Sequence, residues 1–174
     1  MPRSFQSLTR SGSAQKAKTK SQTVASNTSD EKSTVGQLLE GKSQEVHAIR
    51  PHDTVSQAVQ ILRDRRIGAL VVTDETGALQ GILSERDIVR KLAETPGQTL
   101  PQTVAENMTE KVVTCAKSDL LIDVLRRMID GRFRHMPVVE GSRLCGMVTI
   151  GDVVHHRLRE LEQEALQLKQ MIVG

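Results

Sequence analysis

Aromatic residues are nearly absent from this chain, whose 174 residues include no Trp, no Tyr and only two Phe. The apolar content of 37% is therefore carried by aliphatic side chains and Met. Because Val and Ile favour strands, we expect a core of branched aliphatic residues that includes β-sheet. A chain of this length has room for one compact domain or two small intertwined ones.

Cysteines and long apolar runs are also scarce. Cys115 and Cys145 show no motif spacing and each lies in an apolar run, which predicts buried, reduced thiols in a reducing compartment. No apolar run approaches the roughly 20 residues that a membrane-spanning helix needs. Residues 1–33 lack the apolar segment of a secretory signal. We therefore expect a cytoplasmic protein that does not span a membrane.

Positive charge is concentrated at the N-terminus. Residues 1–33 carry six basic and two acidic side chains, whereas residues 34–174 carry 18 and 19. The folded part thus offers no basic face for nucleic acid. The leader is rich in Ser, Thr and Lys, which predicts disorder. The alternatives for this leader are an organelle-targeting segment and an arm that contacts nucleic-acid phosphates.

The motifs of several enzyme classes are missing as well. The five His residues form no metal-binding pattern such as HExxH, and there is no GxxxxGK[ST] phosphate loop. Neither cysteine lies near a predicted His-Asp relay. The sequence therefore predicts a protein that is not an enzyme and has no metal site or catalytic cofactor.

An internal repeat is present, and it indicates the fold more strongly than any single motif. The phrase GILSERDIV at 81–89 recurs 65 residues later as GMVTIGDVV at 146–154. Residues 46–72 resemble residues 112–139 at an offset of 66, and the opening TVGQLL at residue 34 matches TVAENM at residue 103. The chain therefore contains two copies of one unit.

Each copy has the pattern of a β-α-β-β-α unit. A short extended piece ends at a polar turn, and a helix follows whose apolar stripe in the first copy is Val55, Ala58, Val59 and Leu62. Two strands joined by a turn come next, and a second helix begins at the hydroxyl residue of the repeated phrase. Since a unit of about 55 residues is marginal alone, we expect an α/β (α+β) fold in which two stacked repeats share a core around a pseudo-twofold axis.

The repeat also predicts the domain boundaries. We expect a disordered leader at 1–33, a first repeat at 34–95, a second repeat at 103–156 and a C-terminal dimerisation helix at 157–174. In this last segment apolar residues are spaced 3, 4, 3 and 4 apart, at Leu158, Leu161, Ala165, Leu168 and Ile172. Such a two-heptad seam predicts an amphipathic helix that pairs with a second copy in a homodimer. A helix that lies on its own domain is the alternative.

The repeated phrase has two interpretations. Ser84 and Thr149 follow a strand and open a helix, so each can cap that helix, and Asp87 or Asp152 three residues later completes a capping box. The same junction directs helix N–H groups outward, which favours anions. A carboxylate in the first turn can also accept hydrogen bonds from a ribose diol. The phrase therefore predicts capping alone or capping combined with nucleotide binding.

Positive charge for a phosphate is placed differently in the two copies. Arg86 lies inside the first phrase, where the second phrase has Gly151. The second copy instead has Arg134 and His135 at its preceding strand. We therefore expect two clefts that bind related ligands unequally.

These features resemble a tandem pair of cystathionine-β-synthase (CBS) domains, the Bateman module. The resemblance rests on the two GhhS/TxxDhh phrases, the strands IGALVV and RHMPVV, and the two openings, and it covers residues 34–156. It implies a small stand-alone regulatory protein that binds an adenine nucleotide between its repeats and relays the ligand state to a partner protein. AMP is the ligand it favours, with NAD(H), ATP and S-adenosylmethionine as alternatives.

The resemblance also implies the residues of both clefts. One cleft would hold the ribose with Asp152 and Thr149 and the phosphate near Arg134 and His135, and Thr34, Ile67 and Ala69 would line its base pocket. The other would use Asp87, Ser84 and Arg86, with Thr103 and Phe133 opposite. A structural dimerisation or scaffold module with empty clefts remains the competing hypothesis, besides the basic arm for nucleic acid.

Overall fold

The computed structural model describes residues 33–42 and 45–173. Apart from Ser33, the predicted leader lies outside these described residues. They form five helices and five strands, in the order α1 (Val35–Glu40), β1 (Ala48–Ile49), α2 (Val55–Arg65), β2 (Ala69–Thr73), β3 (Leu79–Ser84), α3 (Glu85–Glu94), α4 (Leu121–Gly131), β4 (His135–Glu140), β5 (Arg143–Thr149) and α5 (Ile150–Val173).

The first copy is the predicted β-α-β-β-α unit. Its sheet has the order β1-β2-β3, in which β1 runs parallel to β2 and β3 runs antiparallel to β2. Helix α2 connects the parallel pair, as a crossover connection requires. Its N-cap is Thr54, whose side chain and that of Gln57 form a reciprocal capping box.

The second copy repeats this plan with a shorter sheet. Strands β4 and β5 pair antiparallel, and both hairpins carry an irregularity at matching positions, after Val72 and after Val138. The extended piece predicted near residues 112–115 makes only a single parallel bridge, between Cys115 and Val138. The bridge between Ala48 and Val71 has no counterpart in the second copy, because Pro137 occupies the position of Val71 and has no N–H group to donate to the parallel strand.

The opening segment of each copy packs against the other copy, so the two openings are exchanged. The amide of Val35 donates to the Asp119 carbonyl at 2.9 Å, so the first opening lies against the second copy. The amide of Val104 donates to the Asp53 carbonyl at 2.8 Å, so the second opening lies against the first copy. Each half of the molecule is therefore completed by residues from the other copy.

Burial follows the same exchange. Val35, Leu38 and Leu39 belong to the apolar cluster of the second copy, while Val104 is buried in the cluster of the first copy. The buried residues of the first copy's cluster are all aliphatic, and those of the second copy's cluster are aliphatic with one Cys and two Met, which confirms the expected aliphatic core.

Two local predictions were wrong. Val59 is 36% exposed, because the buried face of α2 is formed by Val55, Ala58 and Leu62. Cys145 is only half-buried, since it lies on β5 next to an exposed hairpin turn. The two openings also differ in structure, since the second forms only a single turn: the amide of Met108 donates to the Val104 carbonyl, and the next residue, Thr109, pairs as a strand residue with Ile82.

Helix α5 is the predicted C-terminal helix, and its seam is exposed. Val153 is buried near its start, and Glu160, two turns further along the same face, is half-buried. At 100° per residue the seam lies about a quarter turn from this inward face. Leu158, Leu161, Leu168 and Ile172 are 51%, 50%, 53% and 83% exposed, respectively. This exposure favours pairing with a second copy over packing on the same chain, and the dimerisation helix stays a prediction.

Candidate nucleotide site

The two repeated phrases form the same junction in both halves. Strand β3 ends at Ser84, whose amide donates to Asp87 Oδ2 at 3.1 Å while the Asp87 amide donates back to Ser84 Oγ at 3.3 Å. Thr149 and Asp152 repeat this exchange at the start of α5, at 2.9 and 3.1 Å. The capping interpretation is thus confirmed for both copies. Among the described residues both carboxylates use Oδ2 for these bonds, so Oδ1 of each can still accept a hydrogen bond.

A cleft of about 660 Å³ lies between the two halves at these junctions. Seven of the twelve predicted site residues line it: Ser84, Arg86, Asp87, Phe133, Arg134, His135 and Thr149. The structure therefore places Arg134, His135 and Thr149 beside Asp87, whereas the resemblance grouped them with Asp152. One open cleft receives side chains from both phrases.

The five other predicted residues do not line this cleft. Ala69 is buried, and Ile67 packs against the apolar cluster of the first copy. The Thr34 side chain caps α1, and Thr103 donates its amide and hydroxyl to Glu106. Asp152 is turned toward Lys42, whose Nζ lies 2.6 Å from its Oδ2.

The cleft is strongly basic. In addition to Arg86 and Arg134, its walls include Arg90, Lys111 and Arg132, against the acids Glu85 and Asp87. Arg86 Nη1 donates to the Arg132 carbonyl at 2.9 Å and so joins the two copies across the cleft. Among the described residues the other four basic side chains show no hydrogen bond or ion pair, so their charge is available to an anion. Apolar surface is supplied by residues such as Ile82, Val113 and Phe133.

His135 lies between the two copies. A Cβ atom on Gly68 would come within 3.1 Å of its ring, so the glycine gives the imidazole its space. Burial, helped by the positive charge of Arg134, lowers the pKa of His135. The ring is therefore neutral at neutral pH and can serve as a hydrogen-bonding group, while the arginines provide the charge.

Asp152 is electrostatically different from Asp87. Partial burial acts to raise the pKa of Asp152, but the ammonium of Lys42 and the hydrogen bonds from Thr149 outweigh it and lower this pKa below its ordinary value. Its partner Lys42 also donates to the Met147 carbonyl at 3.3 Å. The carboxylate is consequently ionised and already paired.

Sequence reasoning missed Arg90, Lys111, Arg132 and Lys42. Arg90 follows Arg86 by four residues, so helical spacing already placed both on one face. Lys42 and Lys111 occupy matching positions once the aligned openings are extended to TVGQLLEGK and TVAENMTEK. Arg132 had no such signal, because its place in the cleft depends on how the two halves meet.

Neither a membrane-spanning helix nor a metal cluster appears in the described part. No helix within residues 33–42 and 45–173 is long and apolar enough to cross a bilayer. The same residues contain no group of three or more His, Cys, Asp or Glu side chains arranged to hold a metal ion.

A doubled β-α-β-β-α unit with a basic cleft between its copies defines a tandem-repeat α/β class of protein. The family profile of the CBS domain matches residues 35–94 and 103–159, and the chain therefore belongs to the CBS-domain family, as a CBS pair. The mixed α/β fold and the C-terminal helix predicted from the sequence are confirmed.

Relatives and solved structures agree with this assignment. CBSX3, a mitochondrial CBS domain-containing protein of Arabidopsis thaliana, is 36% identical over 126 residues, which are 70% of this chain and 61% of CBSX3. The chain thus spans less than two thirds of the length of this relative. The crystal structure of a CBS-domain containing protein from Agrobacterium tumefaciens superposes with a TM-score of 0.70 at 39% identity, covering 72% of this chain and 99% of that one.

Two further similar structures contain ligands. CBSX2, solved in complex with AMP, has a TM-score of 0.62 at 26% identity and covers 72% of this chain and 97% of its own. The CBS domain pair of protein MJ0100, solved with 5′-methylthioadenosine and S-adenosyl-L-methionine, has a TM-score of 0.63 at 27% identity and covers 71% and 98%.

Proposed function

We propose that this protein is a non-catalytic regulatory module that binds an adenine nucleotide, with AMP as the first candidate, and relays its ligand state to a partner protein. The observation that carries this proposal is the basic cleft, where the two phrases meet between the copies. NAD(H), ATP and S-adenosylmethionine are the alternative ligands.

The cleft offers one type of group for each part of a nucleotide. Asp87 Oδ1 accepts a hydrogen bond from the ribose, while Oδ2 continues to cap α3. The unpaired arginines favour the phosphate, since charge-assisted hydrogen bonds to phosphate are among the strong ones. Apolar side chains such as Val113 provide a face for the base. The ligands of CBSX2 and MJ0100 are all adenosine derivatives, which supports this chemistry.

A thermal shift assay tests the proposal. A ligand that binds only the folded state raises the melting temperature by mass action. AMP at about 1–5 mM, enough to occupy a site whose dissociation constant is roughly millimolar or lower, should therefore stabilise the full chain. Asp87→Asn should remove most of that shift, because an asparagine whose carbonyl oxygen continues to cap α3 presents an NH2 donor to the ribose in place of the second acceptor. Asp64→Asn, at an exposed carboxylate paired with Arg63, is the matched control and should retain it.

Failure of AMP, ATP, NADH and S-adenosylmethionine to raise the melting temperature would contradict the proposal. The scaffold hypothesis with empty clefts would then be favoured. Salt-sensitive retention of DNA that is lost on deletion of residues 1–33 would instead support the basic arm.

We also propose that the protein is a homodimer joined through the seam of α5. Five apolar residues in heptad spacing stay exposed in one chain, and a second copy is the occupant that their spacing fits. Leu158, Leu161, Ala165, Leu168 and Ile172 would form the contact.

For location, cytoplasm and organelle remain the two proposals. The mitochondrial location of CBSX3 supports the organelle alternative for residues 1–33, a segment outside the described part except for Ser33. Imaging of fluorescent fusions with and without residues 1–33 separates the two: only a targeting segment makes organelle import depend on these residues.

A further inference from the structure

Lys42 and Lys111 occupy equivalent positions in the two openings but have different surroundings. Lys42 Nζ lies 2.6 Å from Asp152 Oδ2 and 3.3 Å from the Met147 carbonyl. Lys111 lines the open cleft together with Asp87, and in the described part of the chain its ammonium has no hydrogen-bond or ion-pair partner. The pseudo-twofold relation is therefore broken at this pair of lysines.

Backbone pairing explains the difference. In the first half, Ile82 exchanges two hydrogen bonds with Thr109, at 3.0 and 2.8 Å, so its carbonyl is satisfied. Met147 is the equivalent of Ile82, but the opening that faces it remains helical to Glu40 and offers no strand amide there. The Lys42 ammonium donates to the Met147 carbonyl in place of a backbone amide, and it also contacts the Asp152 carboxylate.

We propose that Lys42 is a specificity-determining residue that makes the two motif carboxylates unequal, so that the Asp87 cleft fills first. A ribose that approaches Asp152 must displace the ammonium of Lys42 from the carboxylate, whereas Asp87 has no lysine to displace. The Lys42–Asp152 pair is only partly exposed, at 35% and 23%, so solvent screens it incompletely. This inference rests on the proposed binding of an adenine nucleotide.

Isothermal titration of the full chain with AMP tests this ranking. The wild-type protein should bind one AMP per chain and a second at least about fivefold more weakly, the factor expected for breaking one ion pair. Lys42→Met should strengthen the second site by about the same factor and leave the first unchanged. Lys91→Met, which removes a lysine paired with Glu94 outside both sites, is the matched control and should change neither.

The Asp87→Asn variant tests whether the second site is formed by Asp152, because the first site is disabled in it. The remaining AMP site should be weak with Lys42 present and stronger in Asp87→Asn/Lys42→Met. Lys42→Gln serves as a second variant, with circular dichroism to confirm its fold. Two equal sites in the wild-type protein, or a second site that Lys42→Met leaves unchanged or weakens, would overturn the inference while the proposed function stands. Absence of binding by all four adenosine ligands in every variant would overturn both.

Discussion

At the scale of single residues, the two cysteines have unequal surroundings. Burial raises the pKa of Cys115 to about 11, so at pH 8 only about one thiol in a thousand is ionised and reactive. Cys145 lies on β5, half-buried, with Sγ 3.4 Å from the Arg143 carbonyl. We expect one thiol to react rapidly with a chromogenic disulfide reagent in the native protein and two in denaturant. Cys145→Ser should abolish the rapid reaction; rapid labelling of both native thiols would contradict the burial of Cys115.

The unpaired arginines of the cleft lead to a second residue-scale prediction. Arg90→Gln should weaken AMP binding by about threefold to tenfold at low salt, because it removes a cation from the phosphate region. The difference in AMP affinity between wild type and Arg90→Gln should shrink in roughly 0.5 M salt, because the Debye length there is only a few ångström and the charges are screened. Arg126→Gln, which breaks an exposed pair with Asp123, should leave affinity unchanged in the same titration. Equal effects of both substitutions would indicate nonspecific charge attraction.

At the scale of elements, the glycine that opens each repeated phrase receives the exchanged opening of the other copy. A Cβ on Gly81 would lie 2.6 Å from Met108 Sδ and 3.0 Å from the Thr109 carbonyl oxygen. One on Gly146 would lie 3.0 Å from Leu39 Cδ1. The glycine is therefore required by close packing, since both positions have ordinary strand geometry rather than a positive φ.

Gly146→Ala should consequently destabilise the protein by ~1–3 kcal/mol, the range for overpacking a filled core. Urea unfolding monitored by circular dichroism measures this. Gly151→Ala is the matched control: its nearest neighbour would lie 3.6 Å away, and alanine favours the first turn of α5. It should be neutral or slightly stabilising. A Gly146→Ala protein as stable as wild type would show that Leu39 repacks without cost.

The repeat made most of these elements predictable, because apolar spacing reveals which face of a helix or strand is buried. The spacing could not reveal against which copy each buried face packs. Val35 and Val104 look equally apolar whether they pack on their own copy or on the other, and only the fold joins them to Asp119 and Asp53. For the same reason the cleft residues of the phrases were predictable, while Arg132 and the pairing of Lys42 were not.

At the scale of the whole molecule, the exchanged openings connect the cleft region to α5. Lys42 follows α1 and holds Asp152 in the first turn of α5. At the start of α1, the Ser33 hydroxyl donates to Glu160, which also pairs with His156 and Arg157. Contacts at both ends of α1 thus fix the helix that carries the exposed seam. A ligand that displaces Lys42 acts directly on the base of this helix, which gives the proposed relay a physical route.

The charges beside the seam predict how two copies of α5 pair. Leu158, Ala165 and Ile172 occupy a positions of the heptads, and in a parallel, in-register coiled coil the residue before each a position faces the residue five places later in the partner helix. Arg157, which also pairs with Glu160 of its own helix, then faces the partner's Glu162, and Glu164 faces the partner's Lys169, so both contacts join opposite charges. We therefore expect a parallel dimer.

Disulfide trapping tests this orientation. In a Cys145→Ser background, Leu158→Cys lies at one end of the seam and should form an interchain disulfide on mild oxidation, because residues at an end of the seam meet their own copy within disulfide reach only in a parallel, in-register pair. Gln163→Cys, on the outer face of the helix, is the matched control and should not cross-link. Leu161→Glu should prevent the cross-link by placing a charge in the seam. A monomeric mass in light scattering at tens of micromolar, or equal cross-linking at both positions, would contradict the predicted pairing.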